Sequence, residues 1–175
     1  MKIKTKKINL YGGPGIGKST VAALIFAQLK AEGKSAEIVT EYAKELVYLG
    51  IDLTKSNQNL QDQILLEQLR RELVFQDQVD FMVCDSPLLL NSFYNGSDMS
   101  LKLAKKNLRN DDDFHFFLVR SQEHFETQGR SHNEKQSLEI DKKMEQFFKD
   151  HKIKYIKIDG DSRSKADKIL SILGL

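Results

Sequence analysis

The chain has little of several features that mark particular classes of protein. It contains one cysteine, Cys84, in 175 residues, which excludes an internal disulfide and suits a reducing compartment. It has two prolines, Pro14 and Pro87, and both fall in stretches predicted to be loops. No apolar run is long enough to cross a bilayer, and the N-terminus lacks the apolar core of a signal peptide. We therefore expect a cytoplasmic protein with no membrane partner.

The chain also has little net charge. The formal charge is only +2, which does not favour nucleic acid as a partner. Part of this charge comes from four lysines near the N-terminus, which we predict to be a solvated strand edge. They are Lys2, Lys4, Lys6 and Lys7. Cys84 lies in an apolar run and is predicted to be a buried structural thiol.

One glycine-rich stretch carries the strongest functional signal in the chain. It reads Gly12-Gly13-Pro14-Gly15-Ile16-Gly17-Lys18-Ser19-Thr20 and fits the phosphate-binding P-loop pattern without a mismatch. Glycines let the backbone N–H groups approach a polyphosphate, and the following helix aims its N-terminus at the same anion. Lys18 supplies a cation for the β- and γ-phosphates, and the Ser19 hydroxyl is a suitable ligand for Mg²⁺. The stretch therefore predicts a site for ATP and Mg²⁺.

Strand and helix patterns alternate along the whole chain. Strands are predicted to end at Tyr11 and to span 36–40, 81–84, 114–119 and 153–158. Six helices are predicted: from the P-loop to about Glu32, over 41–49, over 56–78, around 101–108, after a cap at Asn133, and from Ser164 onward. The segment 86–99 is predicted to be irregular. This alternation predicts a single α/β domain over residues 1–175, with a parallel sheet covered by helices on both faces.

Charged residues follow several of the predicted strands. Glu41, Asp85 and Arg120 come directly after the second, third and fourth strands. Because ligands in parallel sheets bind at the carboxyl ends of the strands, we expect these residues to lie near the P-loop. Asp85 is a candidate Mg²⁺ ligand or proton acceptor. Glu41 is a candidate general base, or alternatively an acid that merely stabilises the start of a helix.

The polar stretch after the fourth strand is predicted to be a lid over about 120–133. It holds Arg120 and Arg130, whose guanidinium groups suit the charge that develops during phosphoryl transfer. Closure of such a lid would exclude water from the reaction. Arg163 follows the fifth strand and is a candidate for stacking on the base of the nucleotide, or else a solvated residue.

These motifs resemble those of a known family. The pattern consists of the P-loop followed by Thr-Glu-Tyr-Ala-Lys at 40–44, Asp-Ser-Pro-Leu at 85–88, Gly-Arg at 129–130 and Ile-Asp at 140–141. It resembles small P-loop nucleoside and nucleotide kinases. It is most similar to the stand-alone AAA-type ATPase/kinase proteins that bacteriophages often carry, and is also similar to the ribosylnicotinamide kinase domain of the bifunctional NAD-biosynthesis regulator.

The resemblance implies a three-layer P-loop NTPase fold with a five-stranded parallel sheet in the order 2-3-1-4-5. It implies transfer of the ATP γ-phosphate to a small acceptor, with Asp85 as the acid after the third strand and Glu41 as an acid on the acceptor side. Two departures concern the acceptor. Thymidylate-kinase-like enzymes carry an arginine where Ser86 stands and another where Glu41 stands. An acid at that position favours a hydroxyl that must lose a proton over a monophosphate.

The leading hypothesis is an ATP:Mg-dependent phosphotransferase acting on a nucleoside, a nucleoside monophosphate or nicotinamide riboside. Arg70, Arg71 and Arg109 remain candidates to bind an acceptor phosphate, and residues 86–99 are expected to contribute to acceptor binding. The alternatives are a kinase acting on a hydroxyl of DNA, and a regulatory P-loop ATPase or switch without a small acceptor. The sequence leaves open whether the protein is a homodimer.

Overall fold

The structure, a computed structural model, describes residues 3–109, 111–120 and 134–175. In the last of these ranges the side chains are described from residue 136 onward. Five parallel strands form one sheet in the order β2-β3-β1-β4-β5. They are β1 (Lys6–Tyr11), β2 (Ala36–Val39), β3 (Phe81–Cys84), β4 (Asp113–Leu118) and β5 (Ile156–Ile158). The predicted sheet and strand order are confirmed.

Seven helices are described. They are α1 (Lys18–Ala31), α2 (Tyr42–Tyr48), α3 (Gln58–Phe75), α4 (Leu88–Asn95), α5 (Asp98–Lys106), α6 (Glu134–Asp150) and α7 (Ser162–Ile172), with a short 3₁₀ turn at Leu53–Lys55. None of the helices in the described ranges combines the length and the apolar character that crossing a bilayer would require.

Helices cover both faces of the sheet because side chains alternate along each strand. On one face, Ile8 and Leu10 of β1 pack with the apolar residues of α1 and α7. On the other face, Tyr11 and Phe117 pack with α3, α4 and α6. In α1 the fully buried residues Val21, Ile25 and Leu29 follow the predicted helical spacing. The three-layer arrangement expected for a P-loop NTPase is therefore present.

Some local predictions were wrong. The fifth strand is shorter than predicted, since β5 begins at Ile156 rather than at residue 153. The segment 86–99 is not irregular, since it contains α4, a helix with apolar residues at Leu88, Leu89 and Leu90 that are all buried. The last helix begins at Ser162 rather than Ser164, because the Asp161 side chain accepts a hydrogen bond from the Ser164 N–H at 2.7 Å. The cap predicted at Asn133 lies outside the described residues.

Lys7 departs from the predicted solvated edge. Its strand, β1, is the central strand of the sheet, and the residue is only 3% exposed. Its Nζ lies 3.4 Å from Glu72 and 3.3 Å from Asp113, and it donates to the Asn107 carbonyl at 3.2 Å. Two carboxylates and a carbonyl replace the water that a buried ammonium loses.

Cys84 is the buried thiol that its apolar surroundings predict. It ends β3, which lies between β2 and β1, and it is fully buried. Burial raises the pKa of the Cys84 thiol well above its ordinary value, so the side chain stays protonated and unreactive.

Candidate active site

The P-loop leaves the central strand β1 and winds around its own lysine. Gly12, Gly15 and Gly17 have φ angles of +138°, +75° and +90°, a range that side chains with a Cβ rarely adopt. The Lys18 ammonium is held inside the loop, where it donates to the Gly12 carbonyl at 2.8 Å. Lys18 is only 4% exposed. The loop thus holds its cation at the start of α1, where a phosphate would meet it.

Ser19 and Asp85 meet at the adjoining strand ends, as the sequence predicts. The Ser19 Oγ donates to Asp85 Oδ2 at 2.6 Å, and Asp85 is 4% exposed. The second carboxylate oxygen, Oδ1, is buried and accepts no hydrogen bond from the described residues. A hydroxyl and a carboxylate with spare acceptor capacity are hard oxygen ligands, so these two residues fit Mg²⁺.

Glu41 lies where β2 gives way to α2. It occupies the position before the helix, but its side chain makes no capping hydrogen bond there. Glu41 also lines a cavity. The acid in the first turn of α2 is Glu45, which forms an ion pair with Arg71. No capping hydrogen bond of the Glu41 side chain therefore supports the interpretation that this acid merely stabilises the start of a helix.

A buried glutamine that sequence analysis missed fixes the backbone around Glu41. Gln68 of α3 is fully buried, and its amide group spans the residues on both sides of Glu41. Its Nε2 donates to the Thr40 carbonyl at 3.1 Å, and its Oε1 accepts from the Tyr42 N–H at 3.2 Å. Tyr42 packs beneath the Arg71 guanidinium, 5.0 Å from the ring centroid, and does not line the cavity.

A cavity of about 480 Å³ lies between the P-loop and the helices α2, α3 and α4. Pro14, Lys18 and Glu41 lie in its wall. The remaining lining residues are mostly apolar or neutral: Ala43, Lys44, Val47, Leu53, Thr54, Ser56, Gln61, Ile64, Ser86, Leu90, Asn91 and Tyr94. A larger cavity of about 740 Å³ lies at the opposite edge of the sheet, beside the first residues of β4 and β5, and includes no P-loop residue.

The three arginines considered for an acceptor phosphate are engaged elsewhere. Arg70 binds Glu67, and Arg71 binds Glu45 and Glu67. Arg109 precedes β4 at the far edge of the sheet and forms a bidentate pair with Asp77. None of these arginines lines the smaller cavity.

Arg120 reaches the P-loop, but through a partner that sequence analysis did not identify. Its Nη2 donates to the Pro14 carbonyl and to Asp141 Oδ2, both at 3.1 Å. The other oxygen of Asp141 accepts the Gly13 N–H at 2.5 Å. Asp141 lies on α6, 128 residues from Gly13. One carboxylate therefore joins α6, the P-loop and the arginine after β4.

A second cation, Lys165 of α7, is 2% exposed and lies close enough to Arg120 to sense its charge. Burial first, and then Arg120, lower the pKa of the Lys165 ammonium. The start of α7 also borders the P-loop, since a Cβ on Gly17 would come within 3.3 Å of the Ser162 Oγ. Arg163, in the first turn of α7, is exposed.

Part of the predicted site lies outside the described residues. Arg130 and residues 121–133 of the predicted lid belong to this part. In the ranges that are described, no group of three or more His, Cys, Asp or Glu side chains is placed to hold a metal ion. Ser19 and Asp85 would therefore hold Mg²⁺ together with nucleotide oxygens rather than in an all-protein cage.

Three comparisons with solved structures support the fold. A NadR protein solved with NAD and AMP-PNP is 13% identical and has a TM-score of 0.67, over 97% of this chain and 49% of that chain. The Mycobacterium tuberculosis APS kinase CysC, in complex with AMPPNP and APS, is 18% identical with a TM-score of 0.54, over 99% of each chain. A deoxyadenosine kinase from M. mycoides, solved with dCMP and dCDP, is 19% identical with a TM-score of 0.57, over 96% of this chain and 98% of that chain.

Sequence comparison gives two further matches. A segment of the disease resistance protein RRS1B of Arabidopsis thaliana is 27% identical over 141 residues, which is 76% of this chain and 10% of that protein. This chain thus spans a tenth of that curated relative and about half of the NadR chain. The AAA domain model AAA_28 matches residues 7–165, nearly the whole chain, and confirms the AAA-type resemblance of the motifs. With its P-loop, its sheet order and this match, the chain belongs to the AAA domain family AAA_28 and has the P-loop NTPase fold.

Proposed function

We propose that this protein transfers the γ-phosphate of ATP to a hydroxyl group of a small nucleoside-type acceptor. The observation that carries the proposal is the shared cavity, whose wall contains Pro14 and Lys18 of the P-loop on one side and Glu41 on the other. A cavity of about 480 Å³ is within the usual size range for small-molecule sites. An acceptor bound there would meet the phosphate of a nucleotide held by the P-loop.

The charge of the cavity supports an acceptor without a phosphate of its own. Among the described residues that line it, the cations are Lys18 and Lys44, and none is an arginine. Lys18 is already assigned to the nucleotide, which leaves Lys44 and a predominantly apolar or neutral wall. Tyr94, Gln61 and Asn91 offer one aromatic ring and two amides, which suit a ring with hydrogen-bonding edges.

The residues would share the work of an in-line displacement. Lys18 and the P-loop N–H groups bind the β- and γ-phosphates. Ser19 and Asp85 would hold Mg²⁺, which neutralises phosphate charge when bound. Glu41 accepts the proton of the acceptor's hydroxyl group while the oxygen of that hydroxyl bonds to the γ-phosphorus. The bond to the bridging oxygen breaks, and ADP leaves.

Incubation with Mg·ATP and a panel of acceptors tests the proposal. The panel contains nucleosides, nucleoside monophosphates, nicotinamide riboside and a short DNA oligonucleotide, and mass spectrometry identifies any product that has gained a phosphate. We expect a nucleoside-type acceptor to gain one. Hydrolysis of ATP without any phosphorylated product would refute phosphotransfer. It would favour the regulatory ATPase, the second candidate, since the similar segment of RRS1B belongs to a protein that is not named as a kinase.

Replacing Glu41 by Gln tests its role as the base. We expect turnover to fall by about 10²–10⁴-fold, the usual contribution of general base catalysis, with unchanged ATP affinity. The matched control is Glu45→Gln, which alters a carboxylate on the adjoining helix that pairs with Arg71. Unchanged turnover in Glu41→Gln would return Glu41 to a role at the start of α2.

A further inference from the structure

The contact between α6 and the P-loop is closer than packing alone requires. A Cβ on Gly13 would lie 2.7 Å from Asp141 Oδ1 and 2.9 Å from the Ser137 carbonyl. Gly13 is therefore needed because α6 rests directly on the loop backbone. The short Gly13 N–H to Asp141 hydrogen bond occupies the same contact.

Asp141 also sets the orientation of Arg120. Both Nε and Nη2 of the guanidinium donate to Asp141 Oδ2, at 3.3 and 3.1 Å. Nη2 donates in addition to the Pro14 carbonyl. Both partners of the ion pair are largely buried, with side-chain exposures of 11% for Arg120 and 14% for Asp141. Because a guanidinium is planar, two donor contacts on one side fix the direction of the remaining N–H groups.

A nearby second cation makes the Asp141 carboxylate important for holding Arg120 in place. Lys165 lies nearby and is nearly buried, and burial first, then repulsion by the Arg120 charge, lower the pKa of the lysine. Without a carboxylate, two like charges in a poorly hydrated site would push each other apart. Asp141 offsets this repulsion and keeps the guanidinium against the carbonyl of Pro14, a residue that lines the same cavity as Lys18.

We infer that Asp141 is a positioning residue: it holds Arg120 and Gly13 in the arrangement that recognises the γ-phosphate, and thereby couples α6 to the P-loop. The inference rests on the proposed nucleotide site but not on the identity of an acceptor. In this inference Asp141 acts through Arg120, and Arg120 is the group proposed to contact the phosphate.

Calorimetry with Mg²⁺ and either AMP-PNP or ADP tests this without any acceptor. The ratio of the two dissociation constants measures the preference for a γ-phosphate. We expect Asp141→Asn to lower this preference about tenfold, the effect of one charge-assisted hydrogen bond. The asparagine carbonyl can still accept from Gly13, but its NH₂ group faces the donors of Arg120. Glu145 lies on the same helix as Asp141, and Glu145→Gln removes only an ion pair with Lys157 of β5. This variant is the matched control and should change nothing.

A double-mutant cycle distinguishes positioning from a merely structural role. Arg120→Gln should lower the preference by a similar factor, and Asp141→Asn should add nothing in that background. Additive losses, equal weakening of both nucleotides, or an unchanged ratio in Asp141→Asn would each overturn the inference.

If Asp141→Asn fails to fold, Arg120→Lys provides the test, because lysine keeps the charge but lacks the forked donors. Retention of the full preference in that variant would overturn the inference, and loss would support it. A failure to find phosphate transfer would refute the proposed function while leaving this equilibrium result standing.

Discussion

Loss of the Gln68 amide should weaken both the fold and the candidate base. Gln68→Leu keeps the approximate volume but removes the two hydrogen bonds to the Thr40 carbonyl and the Tyr42 N–H. Both hydrogen bonds are only partly buried, and each contributes about 0.5–1.5 kcal/mol, so losing the pair should lower the free energy of unfolding by about 1–3 kcal/mol. Because these two groups flank Glu41, turnover should fall more than ATP affinity.

Urea unfolding measures the first effect, and steady-state kinetics with separate ATP binding measures the second. Gln68→Glu is an intermediate case, since its carboxylate can accept from Tyr42 but cannot donate to Thr40. Gln63→Leu, on the exposed side of the same helix, is the matched control and should leave both quantities unchanged. If Gln68→Leu lowers the free energy of unfolding by less than about 0.5 kcal/mol, the range of ordinary surface substitutions, the Gln68 amide does not stabilise the backbone around Glu41 and the prediction is refuted. Parallel losses of turnover and ATP affinity would refute the specific effect of this amide on Glu41.

Two further predictions concern stability. Burial, and then the charge of Lys7, lower the pKa of His115 to about 4 from the ordinary 6.5. The unfolded chain therefore binds more protons below pH 6.5, and the free energy of unfolding should fall by about 2 kcal/mol from pH 7 to pH 5 through this residue. Urea unfolding across that range should show a smaller decrease for His115→Gln, and equal decreases would contradict the assignment. Gly13→Ala should lower stability by about 1–3 kcal/mol through overpacking against α6. Thermal unfolding checks this, and an unchanged midpoint would mean that α6 yields easily.

The parts of the molecule that follow from local sequence were predictable. The P-loop is recognisable because its glycines and Lys18 are contiguous, and the strand ends follow from short apolar runs. Once alternation implied a parallel sheet, Ser19 and Asp85 had to share an edge, and their hydroxyl and carboxylate oxygens lie 2.6 Å apart. The helix α4 was missed because a short apolar helix between a strand and a glycine resembles an irregular loop.

The supporting residues were not predictable, because their roles depend on contacts between distant parts of the chain. Asp141 belongs to the Ile-Asp pair of the family pattern, but no local feature gives it a role until α6 meets the P-loop. Gln68 reads as a polar residue on a helix surface until α3 covers the end of β2. Lys7 belongs to a run of lysines that suggests solvent, and only the fold brings Glu72 and Asp113 to it. Periodicity marks which residues are apolar, but does not indicate which polar residues the core will accept.

The single thiol at the end of β3 is a natural probe of how often the strands of the sheet separate in the folded protein. Because Cys84 is fully buried in the interior of the sheet and kept protonated, an alkylating reagent can reach it only when the sheet separates. The rate of its modification under native conditions therefore reports the frequency of that separation, without any engineered probe. Any slowing of that rate by added nucleotide would convert directly into the free energy with which the nucleotide stabilises the folded state.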